Sequence, residues 1–591
     1  MGIPGIITTL RGYGSYSLLS ADTVVIDGPS LVFRVFEGIL KQRPYNASFM
    51  CMPSYSFISR ATISWLDTLR DHGVNVRRIY FDGYLPPSKW DVRRARLIKQ
   101  SDNTKKLLLS SRSGAPVHLS RLFRNVKTDM SITRVHISRM HDNSPRPPFL
   151  VPAVLEELVR SEHWGPLIKV VPGEADMFCA EDVRLNGGTV ITTDSDFLVK
   201  DLGPNGSLAF FADIEAPKRL SDDDEKPSIG AYKVSPYEVC KQIGIADPDG
   251  ISRAAFESRQ GRFSFPEALE HIKAGMKHDE AESLRYHDFM QEHRMTEYIS
   301  PSHPILDIIS TLDPRISEVV VQSLLLRDQT TGPRGPGHLS IFLPVLIEHH
   351  DMKSAWYMST PVRQLAYSVL CSNSDHIIEY RVLDQSTAVP GRQVEIPRPE
   401  EAVSEFAQLV ETLSKLGNGP LQGDLRWFGF ATCQDIGWSA SEERTSQLAN
   451  LIYHVTDELD EMKKYSWDLI HFTASFHASL YSLRILKQLL GVATFTKQHL
   501  SEPALQLREI LTSFPSISEW PTIEDMPELF SKFREANAVN FITNMLGLPD
   551  FPKPRLQIRA SKSKKQRKPQ KPRAPRIRPT SVNPFAVLND I

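Results

Sequence analysis

Four carboxylates flank two turns within residues 170–200, VVPGEADMFCAEDVRLNGGTVITTDSDFLVK. Glu174 and Asp176 follow the apolar residues Leu167, Ile168, Val170 and Val171 and a Pro172-Gly173 turn, while Asp194 and Asp196 follow a second apolar run, residues 189–192. In extended chain, residues i and i+2 share a face, so Asp194 and Asp196 can address one object. Inside a helix the same spacing diverges by about 200°. Glu174 and Asp176 therefore converge only where a helix begins, and Pro172-Gly173 predicts that start. Carboxylates brought together repel and take up protons unless a cation neutralises them, and hard oxygen donors suit Mg²⁺ or Mn²⁺. Taken alone, the stretch fits a divalent metal site and a pair of polar turns equally, since acids also favour a helix N-terminus and TDSD suits a solvated turn.

The elements that would position these residues come from the alternation of apolar runs. Residues 23–26 form a short strand pattern ending in Asp27-Gly28-Pro29, and residues 30–40 can be a helix. Residues 55–70 carry Ile58, Ala61, Trp65 and Leu69 at helical spacing, a core stripe. His72-Gly73 closes that helix, and VNVRRIYF runs as a strand into Asp82-Gly83. Alternating strands and helices imply an α/β fold with a mostly parallel sheet flanked by helices, whose ligands gather beyond the carboxyl ends of the strands. Asp27, Asp82, Glu174, Asp176, Asp194 and Asp196 are all expected at that edge.

The chain has 591 residues, 41% hydrophobic and 24% charged, enough for two or three cored domains. No apolar run approaches the roughly 18 residues of a membrane span, and no secretory segment is expected after Met1. MGIPGI lacks the Ser or Thr of a myristoylation signal at its sixth position. Cys51, Cys179, Cys240, Cys371 and Cys433 lie far apart, which suits reduced thiols inside a cell better than zinc or a disulfide framework. The net charge of −1 hides a strong asymmetry: residues 553–578 carry +12 and residues 86–146 carry +10, leaving −23 on the rest. Such polarity is common in nucleic-acid-binding proteins.

MGIPG at the start, then VVIDGPSLVF, IYFDGYLPPSKWDVRRAR, VPGEAD and TTDSDFL in that order, resemble the flap endonuclease and XPG superfamily, and within it the Asteroid family. The resemblance covers residues 1–215 and implies a PIN-like α/β domain that hydrolyses phosphodiester bonds with two divalent ions, Mg²⁺ or Mn²⁺. It implies Asp27, Asp82, Glu174, Asp176, Asp194 and Asp196 as metal ligands. Asp176 stands where flap endonucleases use Glu, one methylene shorter. Lys89 and Arg96 match the cations that hold the scissile phosphate, and two helical turns separate them. Gly2, Phe33 and Arg93 join them as nucleic-acid contacts, Phe33 through stacking. For Phe33 a buried helix residue, and for Lys89 and Arg96 a solvated basic helix, remain the alternatives.

The pattern also departs from that superfamily. YEVCKQIGIADPDGISRAAFESRQGR stands where a Gly-rich helical hairpin grips duplex DNA; Gly244, Asp247 and Asp249 are present at the wrong spacing. Residues 86–146 correspond to an insertion that arches over single strands, basic with apolar residues between; His118, His136 and His141 within it have no ligand spacing.

The expected organisation is a nuclease-like domain over residues 1–235, a degenerate hairpin-like region over 236–300, a mainly α-helical domain over 301–550 and a disordered basic tail over 551–591. ILDIISTLDPRISEVVVQSLLL, IFLPVLIEHHD, TPVRQLAYSVL and LANLIYHVTDELDEMKKY carry the helical patterning. His349-His350-Asp351 reads as an exposed helix end, and the Gly-Pro loop TTGPRGPGH lacks the Lys-Ser or Lys-Thr of a P-loop. The tail suits nuclear import or phosphate binding, giving a nuclear or also cytoplasmic location, and residues 583–588 (NPFAVL) suit docking on a protein partner. Two function classes follow: a structure-specific endonuclease acting on branched or single-stranded DNA or on RNA, and a weakened nuclease fold that binds RNA or protein as a regulator. A nucleotide-binding α/β enzyme would need a GxGxxG or P-loop, and neither is present.

Overall fold

Strands whose residues alternate between two apolar faces form the centre of the molecule. In the computed structural model the described residues are 3–20, 22–43, 47–117, 123, 126–134, 145–218, 227–245, 249–275, 280–293, 295–327, 338–370, 375–381, 391–444, 446–454 and 463–549. The strands are β1 (Ser15–Leu18), β2 (Thr23–Asp27), β3 (Asn75–Asp82), β4 (Ala115–Pro116), β5 (Ile168–Val171), β6 (Gly188–Thr192), β7 (Gly206–Ile214), β8 (Gly230–Val234), β9 (Ser340–Phe342), β10 (His376–Tyr380), β11 (Arg392–Glu395) and β12 (Lys464–Tyr465). Among the described residues a seven-stranded sheet runs in the order β1-β8-β7-β6-β2-β3-β5. Its β7-β6-β2-β3-β5 part is parallel and its β1-β8-β7 edge antiparallel. The mostly parallel, helix-flanked sheet expected from the sequence is thus the fold of the chain.

Period-2 alternation sorts the sheet residues between two cores. Val24, Ile26, Ile79, Phe81 and Ile191 join one with helices α2 (Gly28–Lys41), α3 (Tyr55–Asp71) and α5 (Leu150–Arg160). Val25, Val190 and Leu208 join the other with α1 (Ile6–Leu10), α6 (Ala175–Asn186), α8 (Asp249–Arg259) and α9 (Phe265–Lys273). In the expected hairpin region α7 (Pro236–Ile243) ends at Gly244, whose φ of 78° is the left-handed C-cap that glycine takes readily.

The basic insertion opens with α4 (Trp90–Ser110). Trp90 and Leu97 cluster with Phe342 and Tyr380, His350 Nε2 lies 2.7 Å from Thr104 Oγ1, and β4 pairs antiparallel with β12. α4 and β4 are therefore packed onto the later half of the chain, whereas Phe123, Met130 and Ile132 of the same insertion join the core of α2 and α3. That half contains α10 (Glu280–Glu292), α11 (Ile305–Ile309), α12 (Pro314–Arg327), α13 (Thr360–Leu370), α14 (Pro399–Asn418), α15 (Leu425–Ser441), α16 (Gln447–His454), α17 (Trp467–Phe495), α18 (Glu502–Ile510), α19 (Met526–Glu535) and α20 (Ala538–Met545). The weakly amphipathic α17 is buried on most sides, with Leu469, Phe476, Leu483 and Leu490 all in the core.

One apolar core unites Tyr84, Leu108, Phe149 and Ala153 with these helices, so packing runs across residue 300; it likewise crosses residue 235, where Val234 and Val239 share a core. By its contacts the chain divides into Met1–Phe551 and Pro552–Ile591, and the second unit lies outside the described residues, as do the basic tail and residues 583–588.

Two expectations require correction. IFLPVLIEHHD is not helical: residues 340–342 form β9, which pairs parallel with β10, and irregular chain follows. Ile341, Phe342, Leu343 and Leu346 are all buried, so the apolar run reports burial on every side, and Pro344 cannot donate to a helix. His349-His350-Asp351 is consequently a turn with both histidines half-buried and Asp351 exposed, and His349 N donates to His471 Nδ1 at 3.2 Å.

Candidate active site

The carboxyl ends of β2, β3, β5 and β6 lie side by side, with Asp82 opposite Val171 and Ile26 opposite Ile191. Asp27 ends β2 and caps α2. Its Oδ1 accepts from Ser30 N at 3.2 Å, and its Oδ2 accepts from Ser30 Oγ at 2.6 Å and Thr192 Oγ1 at 2.8 Å. Asp82 ends β3 and accepts from Ala175 N at 2.7 Å, which joins it to the first turn of α6. Both Asp-Gly turns require glycine for close approach. A Cβ on Gly28 would stand 2.6 Å from the Phe81 ring, and one on Gly83 2.4 Å from Val171 O.

Glu174 caps α6 and Asp176 lies in its first turn, as the Pro172-Gly173 signal predicts. Asp194 caps the 3-10 turn Ser195–Val199 and accepts from Asp196 N at 3.0 Å. The six carboxylates are thus gathered at one sheet edge. Asp176 Oδ1 and Asp196 Oδ1 are buried and have no hydrogen-bond partner.

Crowding and burial raise the proton affinity of this edge. Burial, opposed by hydrogen bonds from Ser30 and Thr192, lifts Asp27 to about 6. Burial, with the charges of Asp27, Asp176 and Glu174 added, lifts Asp82 to about 7. Glu174 is raised by burial and by Asp176, and Asp196 by burial and by Asp194. Without a cation the edge resists full ionisation.

Two lysines meet it. Lys89 Nζ lies 3.6 Å from Glu174 Oε1 and its side chain is 37% exposed. Lys200 Nζ lies 3.0 Å from Asp176 Oδ2, and its side chain is only 2% exposed. Among the described residues no three His, Cys, Asp or Glu side chains form a ready-made metal cluster. Five of the carboxylates instead have separate partners, among hydroxyls, backbone amides and the two lysines. The two orphaned carboxylate oxygens are hard donors in a buried, proton-hungry setting, and that chemistry fits a divalent cation.

The other expected site residues separate. Arg96 and Phe33 line a cavity of ≈ 320 Å³ with Lys99, Arg146 and Arg315. Arg146 covers the Phe33 ring at 4.9 Å, so Phe33 is both packed on the core and part of this basic cavity. Arg93 turns away: its Nη1 donates to both Glu318 oxygens at 2.6 and 2.7 Å, and its guanidinium lies 4.0 Å from the Phe342 ring centre. Gly2, His118, His136, His141 and Asp247 lie outside the described residues, as does the side chain of Asp249.

Lys200 was missed in the sequence, and so were the hydroxyls of Ser30 and Thr192. A visible signal existed for Lys200: it closes the buried run Phe197-Leu198-Val199 four residues after Asp196. A lysine there must either reach solvent or find an acid.

Residues 146–395 match the family model described as XPG domain containing. The match holds Glu174, Asp176, Asp194 and Asp196, whereas Asp27, Asp82, Lys89 and Arg96 precede it. No curated protein matches the chain. Among solved structures, the catalytic core of Rad2 in complex with DNA substrate (complex III) aligns at 13% identity and a TM-score of 0.25, covering 53% of this chain and 88% of that one. A second such structure, complex II, aligns at 12% identity and a TM-score of 0.22, covering 55% and 94%. Over residues 146–395 the chain is similar to the XPG domain, the superfamily to which its ordered motifs pointed.

Proposed function

We propose that the carboxylate edge is the catalytic centre of a divalent-metal-dependent nuclease that cleaves branched or single-stranded DNA or RNA. The observation that carries this reading is the pair of buried, unpartnered oxygens on Asp176 and Asp196 among six gathered carboxylates. Burying acids without partners is costly, and a cation offsets that cost. When bound, Mg²⁺ or Mn²⁺ would lower the pKa of a water and polarise the phosphate. Water then adds across one P–O ester bond, leaving a phosphate monoester and a free hydroxyl.

The chain's own residues prepare that step. Ser30 and Thr192 fix the orientation of Asp27, and Ala175 N fixes Asp82. Lys89, exposed and only loosely held by Glu174, is free to turn to a phosphate oxygen. Arg96, Lys99 and Arg146 give the cavity beside Phe33 a positive wall that suits a nucleic-acid backbone. Assignment to the Asteroid branch, and import to the nucleus through the basic tail, belong to the same proposal.

A second reading, a nuclease fold retained as an RNA- or protein-binding regulator, is favoured by the pairs Lys89–Glu174 and Lys200–Asp176, which neutralise two carboxylates without metal. Cleavage of flap, overhang, hairpin and single-stranded DNA and RNA with Mg²⁺ or Mn²⁺ separates the two. The nuclease reading expects the Asp194→Ala plus Asp196→Ala variant to lose on the order of a hundredfold or more of the activity. Wild-type protein no more active than that variant supports the regulator.

A further inference from the structure

We propose that Lys200 takes the place of a second divalent ion, so that the carboxylate edge is built for one. The inference rests on the metal-dependent reading above and fixes its stoichiometry.

The two lysines at the edge differ in kind. Lys89 is 37% exposed and 3.6 Å from its acid, so a substrate phosphate can draw it away. Lys200 has no such freedom. Its backbone follows the 3-10 turn capped by Asp194, with Lys200 N donating to Phe197 O at 3.2 Å. Its Nζ stands 3.0 Å from Asp176 Oδ2 and 3.0 Å from Met177 Sδ, and lies 5.8 Å from the centre of the Phe197 ring. An ammonium that is 2% exposed cannot leave for water without opening the segment that carries Asp194 and Asp196.

In two-metal sites the ions sit about 3.5 to 4 Å apart and share such carboxylates between them. An ammonium held at 3.0 Å from Asp176 Oδ2 fills one of those roles and repels a dication entering beside it. Asp176 keeps one unpartnered oxygen and Asp196 another, which remain for a single ion. The shorter side chain at 176 belongs with this arrangement, since Lys200 supplies the reach.

Calorimetric titration of Mn²⁺ into the full chain tests this directly. Wild type and Lys200→Arg should bind one ion per chain, whereas Lys200→Met should bind two. Lys200→Gln, which keeps a polar head without charge, should also bind two and serves if the methionine variant does not fold. Two ions in wild type would overturn the inference while leaving the nuclease reading intact. One ion in both folded neutral variants would likewise overturn it. A wild-type chain that binds no ion would overturn both.

Discussion

Glu379 and the acids of the sheet edge are treated in opposite ways by this protein. In the later half, Glu379 on β10 receives Arg363 Nε on Oε1 at 2.6 Å, Arg363 Nη2 on Oε2 at 3.0 Å and the Tyr367 hydroxyl at 3.0 Å. Arg363 and Glu379 are both 0% exposed. Although burial opposes ionisation, Arg363 holds the Glu379 carboxyl below its usual range. At the sheet edge Asp27 is buried and Asp82 half-buried, yet their carboxyls are pushed up to about 6 and about 7. The buried Glu379 charge has its partner, Arg363, inside the chain. Among the described residues the edge sets two lysines against six acids, the condition expected of a site completed by a ligand.

Several substitutions break or sharpen this contrast. Among single substitutions the largest effect belongs to the finished pair. Arg363→Met leaves Glu379 buried with only the Tyr367 hydroxyl and the looser Arg381, 3.8 Å away, and should cost about 3 kcal/mol in denaturant unfolding. A loss below about 1 kcal/mol would make the pair dispensable.

Next comes the pH dependence of the edge. Asp82 and Asp27 have folded values of about 7 and about 6 against 3.8 unfolded, so the folded chain binds more protons than the unfolded one between these limits. Stability of chelator-treated protein should therefore be full below about pH 4 as far as these groups are concerned and fall as pH rises to about 7, at roughly 1.4 kcal/mol per unit of raised pKa. Mg²⁺ should restore it at pH 8, and Asp82→Asn should flatten the profile. A melting curve insensitive to both changes would place the acids in water rather than in a crowded site.

The smallest effects separate two neighbouring arginines. Arg93→Ala orphans Glu318 and should cost about 1 to 3 kcal/mol of stability with little change in cleavage per folded molecule. Arg96→Ala should leave stability within about 0.5 kcal/mol and reduce the salt slope of nucleic-acid binding by about one. The reverse pattern would exchange their roles.

How far the sequence revealed this follows from the range over which each feature is decided. The strands ending at Asp27 and Asp82, the helix beginning after Glu174 and the i, i+2 pair Asp194 and Asp196 are set by neighbours within a few residues, and apolar alternation and turn residues encode them. Lys200–Asp176, Arg93–Glu318 and Arg363–Glu379 are tertiary pairings that no local period announces. Arg93 and Arg96 look alike along the helix, and only the position of Glu318 and Phe342 separates them. The strand at residues 340–342 was misread for the same reason: an apolar run buried on every side has no amphipathic period.

Anomalous diffraction from crystals grown with Mn²⁺ tests the central claim most directly. The account predicts an anomalous peak at the carboxylate edge, in contact with Asp176 and Asp196. No peak at that edge, under conditions where Mn²⁺ is saturating, would contradict it and leave the six carboxylates as a relic of the fold.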